Sequence, residues 1–159
     1  MNSLILQWGL VSFMIGIFLS LPLAAVYYDQ SPSWAKIFAN PRKLKSAHLD
    51  FFTQAFAAGF VFLLEFVSGT EFPLYVIIPL LYGTICNPLI LLLESTSTFK
   101  SGAMAVFYRI LKATSPVLLL FAWIMIAGLF LPLYLIIFLF VFIGVGFAII
   151  WHNRGKTIE

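Results

Sequence analysis

A chain of 159 residues has room for one ordinary domain, yet 62% of its residues are apolar and only 9% are charged, which excludes a typical water-soluble protein. The net charge of +3 comes from cations placed between apolar runs, not from a basic stripe interleaved with aromatics, so it suits lipid headgroups and no nucleic-acid partner is expected. One cysteine, Cys86, excludes an internal disulfide, a Cys-based zinc site and the C-x-x-C-H signature of covalent haem.

The first apolar run, Leu4 to Val26, is long enough to cross a hydrocarbon core and has no Lys or Arg before it, so it reads as a true span, not a cleavable signal peptide. The polar stretch Tyr28 to Ser46, with Pro32, Pro41 and four cations, reads as a loop. A second span is expected over Ala47–Val67. After a short turn through Ser68, Gly69, Thr70 and Glu71, a third runs over Phe72–Leu93, with Pro73 suited to its first turn. Glu94 to Lys112 is a second polar connection, with helix able to begin near Ala103. The apolar stretch that follows, Ala113 to Trp151, exceeds one comfortable span, so two spans are expected, Phe107–Leu131, starting within the preceding connection, and Leu133–Trp151, around a turn at Gly128 to Pro132.

Charge supports the count independently. All nine cations (Lys36, Arg42, Lys43, Lys45; Lys100, Arg109, Lys112; Arg154, Lys156) fall on one side of a five-span chain, and the positive-inside rule makes that side cytoplasmic. The expectation is an all-α integral membrane protein of the cell membrane, a single transmembrane domain over 1–159 built as a bundle of about five helices, with its N-terminus outside and its C-terminus in the cytoplasm.

Polar side chains inside a span are costly unless they face protein, water or a cofactor, so they mark the candidate site. Three clusters qualify: Ser46, His48, Asp50, Thr53 and Gln54; Tyr82, Thr84, Cys86 and Asn87; and Thr114 with Ser115. The His48 imidazole can ligate a metal or haem iron, or rest at the interface bonded to water. Asp50 is expected in the first turn of span two, where the positive helix end favours a carboxylate. Gln54 follows His48 by six residues, about 240° around a helix, so the two face different ways and share a site only where subunits or neighbouring spans meet. Pro88 frees the carbonyl of Thr84, so Gly83, Thr84 and Asn87 read either as a helix–helix contact or as part of a cavity in which Tyr82 donates a proton.

The stretch Ala39-Asn40-Pro41-Arg42-Lys43-Leu44-Lys45-Ser46-Ala47-His48-Leu49-Asp50 resembles the loop and helix start of hydroxylaminobenzene mutases, and Tyr82-Gly83-Thr84-Ile85-Cys86-Asn87 resembles their Y-G-T-x-x-N segment. Styrene oxide isomerases look distantly similar around the same histidine. The resemblance covers roughly residues 1 to 131 and implies a four-helix family core, to which this chain adds one C-terminal helix. It departs in having Gln54 where asparagine is usual and Pro88 after Asn87.

The resemblance implies a membrane isomerase or mutase with a non-covalent haem b whose axial iron ligand is His48, held in a homo-oligomer such as a trimer. Iron would act as a Lewis acid on a small hydrophobic epoxide or N-hydroxyl substrate, with Tyr82, Asn87 and Gln54 as the catalytic polar groups that orient it. Two other classes stay open on the residues: a haem protein that moves electrons or senses a gas, and a small transporter or assembly subunit. Haem content separates the first two from the third.

Overall fold

The computed structural model describes residues 2–97, 99 and 101–154, with the side chains of Asn153 and Arg154 left aside. The charges expected at Lys100 and Lys156 lie outside the described residues, and the Arg154 side chain lies outside them too. Six helices make up the described chain: α1 Ser3–Tyr27, α2 Pro32–Ile37, α3 Pro41–Ser68, α4 Leu74–Ser95, α5 Gly102–Phe130 and α6 Leu133–Arg154. All but α2 are long and apolar enough to cross a membrane, and no strand occurs among the described residues, so the chain is an all-α membrane protein with five spans.

Helix α3 begins at Pro41, six residues before the apolar run that was expected to open it. Two local signals start it there. Asn40 accepts from the Lys43 backbone N–H at 3.3 Å, and Pro41 occupies a first-turn position where its missing N–H costs nothing. The loop expected over Tyr28 to Ser46 is therefore mostly helical, since α2 fills part of it. Asp50 lies nine positions into α3 rather than in its first turn, so the helix-end explanation for that carboxylate fails. Gly69 ends α3 in the left-handed region (φ 65°), the conformation a side chain resists.

The chain divides into two compact units, 1–122 and 123–159. In the first, α3 lies between α1 and α4. The α1/α3 seam is close-packed where small residues face each other: a Cβ built on Gly9 would lie 3.2 Å from that of Ala58, and Ser12 Oγ, fully buried, donates to the Phe51 carbonyl at 2.9 Å. Leu19 of α1 joins Leu44, Ala47 and Phe51 of α3 in a buried cluster, with Leu91 and Leu92 of α4 against it.

At one end, Glu65 is fully buried and its carboxylate accepts from the Asn2 N–H at 2.8 Å and the Phe72 N–H at 2.7 Å, joining α1, α3 and the approach to α4. At the other, Asn40 N–H donates to the Ser95 carbonyl at 3.0 Å, and Lys43 pairs with Glu94 at 2.5 Å. Tyr108 of α5 also donates to Glu94, at 2.6 Å. This second end carries Arg42, Lys43, Lys45, Arg109 and Lys112 and is the basic end of the unit. In the second unit, Pro132 separates α5 from α6 within the turn expected there, and α6 has no buried residue among those described.

Candidate functional site

Helix α3 holds His48 seven residues beyond Pro41, about 10 Å along the axis, well inside the helix rather than at its edge. Its flanking positions Ala47 and Phe51 are buried, and His48 itself is half-buried on the side of α3 that meets α1. The ring Nδ1 lies 2.8 Å from the Gly16 carbonyl oxygen. A carbonyl can only accept, so Nδ1 carries the proton and, in the neutral ring, the lone pair is on Nε2. Among the described residues Nε2 has no hydrogen-bond partner. Phe52, one turn on, meets the imidazole edge-on with centroids 4.9 Å apart and limits its rotation. Gly16 makes the approach possible, because a Cβ there would lie 3.2 Å from the Phe52 ring.

Toward the basic end the seam stays packed where Leu19 meets Leu44, but beside that contact it opens. One turn further toward the basic end, where Ser20 follows Gly16 on α1 and Lys45 precedes His48 on α3, a cavity of about 400 Å³ opens, lined by Ser20, Leu23, Ala24, Tyr27, Tyr28 and Lys45. A smaller apolar hollow of about 180 Å³ lies on the other side of the tight contact, between Gly9 and Phe13 of α1 and Ala55 and Gly59 of α3.

Gln54, Tyr82 and Asn87 stand elsewhere. Gln54 donates to Asp50 one turn away on the same helix, at 3.4 Å. The Tyr82 hydroxyl lies 2.7 Å from that of Thr114, and Asn87 Oδ1 accepts from Ser115 Oγ at 2.8 Å. The second and third polar clusters of the sequence thus form one interhelical strip joining α4 to α5. Gly83 lets that seam close, since a Cβ there would lie 2.5 Å from Leu119 Cβ. For Gly83 and Asn87 the geometry is that of a helix–helix contact. Thr84, buried, donates to the Leu80 carbonyl of its own helix at 2.8 Å.

His48 therefore faces α1 while Tyr82 and Asn87 face α5, and among the described residues no hydrogen bond connects the two groups. The antiparallel pairings place them at similar depth nonetheless: Lys43 meets Glu94 at the basic end, and His48 and Asn87 lie five and seven residues further in. Sequence reading missed Gly16 and Lys45 as parts of this region, the first because its contribution is a backbone carbonyl, the second because a lysine before a span looks like ordinary topogenic charge.

Among the described residues no three His, Cys, Asp or Glu side chains come together as a metal-holding group, and His48 is an imidazole inside the packed helices whose Nδ1 is bonded to the Gly16 carbonyl. A lone imidazole of this kind could hold only a metal group that brought its remaining donors with it. No family model, no curated protein and no solved structure matches this chain.

Proposed function

We propose that the protein is a membrane-bound, haem b-dependent isomerase or mutase that rearranges a small hydrophobic epoxide or N-hydroxyl compound, in the manner of the hydroxylaminobenzene mutases and styrene oxide isomerases its sequence resembles. The observation that carries the reading is the 2.8 Å bond from His48 Nδ1 to the Gly16 carbonyl, which leaves the Nε2 lone pair for a metal. Metal-ligating histidines characteristically donate their other nitrogen to such an acceptor, which fixes the ring and raises its basicity. A single strong ligand suits a centre with one axial position left for substrate better than an electron carrier with two.

When bound, the haem supplies an electron-accepting iron centre that polarises a C–O or N–O bond toward an internal shift. The chain supplies the rest. His48 would hold the iron, Gly16 and Phe52 hold His48, and the apolar surroundings would exclude water that could divert the rearrangement. Tyr82, Asn87 and Gln54 are the polar groups available to orient substrate. Since they face away from His48 in one chain, this role requires a homo-oligomer, such as the trimer of the styrene oxide isomerases it resembles, that sets the α4/α5 strip with Tyr82 and Asn87, and the Gln54 face of α3, of one copy beside the α1/α3 seam of the next. The basic end faces the cytoplasm of the cell membrane, with the N-terminus outside.

The test is an absorption spectrum of protein purified in mild detergent from haem-replete cells, followed by incubation with an aryl epoxide and an arylhydroxylamine. A Soret band that His48→Ala abolishes and added imidazole partly restores is expected, together with a product of unchanged mass formed without oxygen or reductant. Wild type without haem, or His48→Ala with an unchanged spectrum, refutes the reading.

A further inference from the structure

We infer that the cavity at the basic end of the α1/α3 seam is the seat of the cofactor's carboxylates, with Lys45 as the cation that receives them. The inference rests on the haem reading of His48 and adds to it an orientation and a second point of attachment. Ser20 and Gly16 on α1, and Lys45 and His48 on α3, are neighbours three or four residues apart, so each pair stacks on one helical face. The cavity of about 400 Å³, lined by Ser20 and Lys45 among others, thus lies one turn from the imidazole toward the basic end. On the opposite side of His48 the seam is closed by Ser12 and Phe51 and then by Gly9 and Ala58, with the smaller apolar hollow beside them.

A haem has one edge of two carboxylates and an otherwise apolar rim. Carboxylates cannot stay in hydrocarbon unpaired, so they go to the end with water and positive charge. Lys45 lines the cavity at that end and has no acidic partner among the described residues, whereas Lys43 nearby is already taken by Glu94. Tyr27 and Tyr28 add hydroxyls that make no hydrogen bond among the described residues. Leu23 and Ala24 supply the apolar wall between. Lys45 lies about 4.5 Å from His48 along the helix axis, and its flexible stem extends that reach toward the edge of a macrocycle ligated by His48.

The test compares two probes, haem b and its dimethyl ester, titrated into full-length protein purified from haem-depleted cells, with binding followed by the Soret band. Wild type should prefer the diacid by roughly threefold to tenfold, the range of one partly solvated charge-assisted contact. Lys45→Ala should remove that preference by weakening the diacid alone, leaving the ester's affinity and the Soret maximum where they were, and Lys45→Arg should keep it. A preference that survives Lys45→Ala, or an equal loss for both probes, overturns the carboxylate assignment while the His48 reading stands. Wild type that binds neither probe overturns both. If both probes bind alike and phosphatidylglycerol is retained by wild type but not by Lys45→Ala, the cavity is a lipid headgroup site and the assignment is likewise overturned.

Discussion

A methyl group at position 16 would meet the Phe52 ring at 3.2 Å, and that ring in turn lies edge-on to His48, so the smallest change at Gly16 is felt by the imidazole. Gly16→Ala needs only a few tenths of an ångström from Phe52, which is half-buried and free to give. Gly16→Val needs a separation of α1 from α3 and should cost about 1–3 kcal/mol, the usual range for overpacking. Its expected signature is a lowered melting temperature in detergent together with a broadened or weakened Soret band, whereas Gly16→Ala should shift the spectrum with little loss of stability. An unchanged spectrum in both variants would separate Gly16 from the ligand. Histidine inside an apolar run announces itself in a sequence, which is why His48 stood out as a candidate. Its acceptor is a main-chain oxygen and has no residue-type signature at all. Asp50 was misplaced for a related reason: its position was counted from the onset of hydropathy, while the helix starts earlier, at the Asn40 cap.

At the level of elements, the spans were legible because hydrocarbon thickness dictates their length, and the α5/α6 break because Pro132 ends an apolar stretch too long for one crossing. What was not legible is which polar groups join which helices. Thr114 and Ser115 stood as a separate polar cluster, yet they are the α5 half of the strip that holds Tyr82 and Asn87. The closeness of that strip depends on Gly83, whose added Cβ would lie 2.5 Å from Leu119 Cβ. Gly83→Ala should therefore destabilise the α4/α5 contact, Leu119→Gly should do so by leaving a void, and the pair together should recover part of the loss, because glycine at 119 removes the Cβ that the new methyl would meet. A double-mutant cycle of detergent melting temperatures checks this, and strict additivity would place the two residues out of contact. Glu65 makes a second test at the other end of α3. Glu65→Ala removes the carboxylate that accepts from the Asn2 and Phe72 amides, so a loss of about 1–3 kcal/mol is expected, and Glu65→Gln, which keeps one accepting oxygen, should lose less.

Across the whole molecule, charge distribution decides how the helices thread the membrane, because Lys and Arg beside a span resist translocation. Lys36, Arg42, Lys43 and Lys45 precede or open α3, and Arg109 and Lys112 lie in the early turns of α5, whereas the turn between α3 and α4 carries Glu71 and no cation. The basic end should thus be cytoplasmic and the α3–α4 turn external. The chain lends itself to a direct test, since Cys86 is its single cysteine and sits half-buried in α4. In a Cys86→Ser background, Thr70→Cys in the α3–α4 turn and Leu133→Cys just past the α5–α6 break should react with a membrane-impermeant maleimide on intact cells. Ser33→Cys, exposed on α2, should react only after the membrane is opened. A fluorescent protein fused after Glu159 should light up, as it does in the cytoplasm. Each probe reports a different crossing. Labelling at Thr70 with none at Ser33 fixes the sense of α3, and labelling at Leu133 then shows that α5 has crossed. Should Leu133→Cys stay silent while Thr70→Cys reacts, the final apolar stretch does not form two crossings, and a four-span chain takes the place of the five-span one. Should Ser33→Cys react and Thr70→Cys not, the orientation is reversed, and the carboxylate end of the proposed cofactor site faces outward instead.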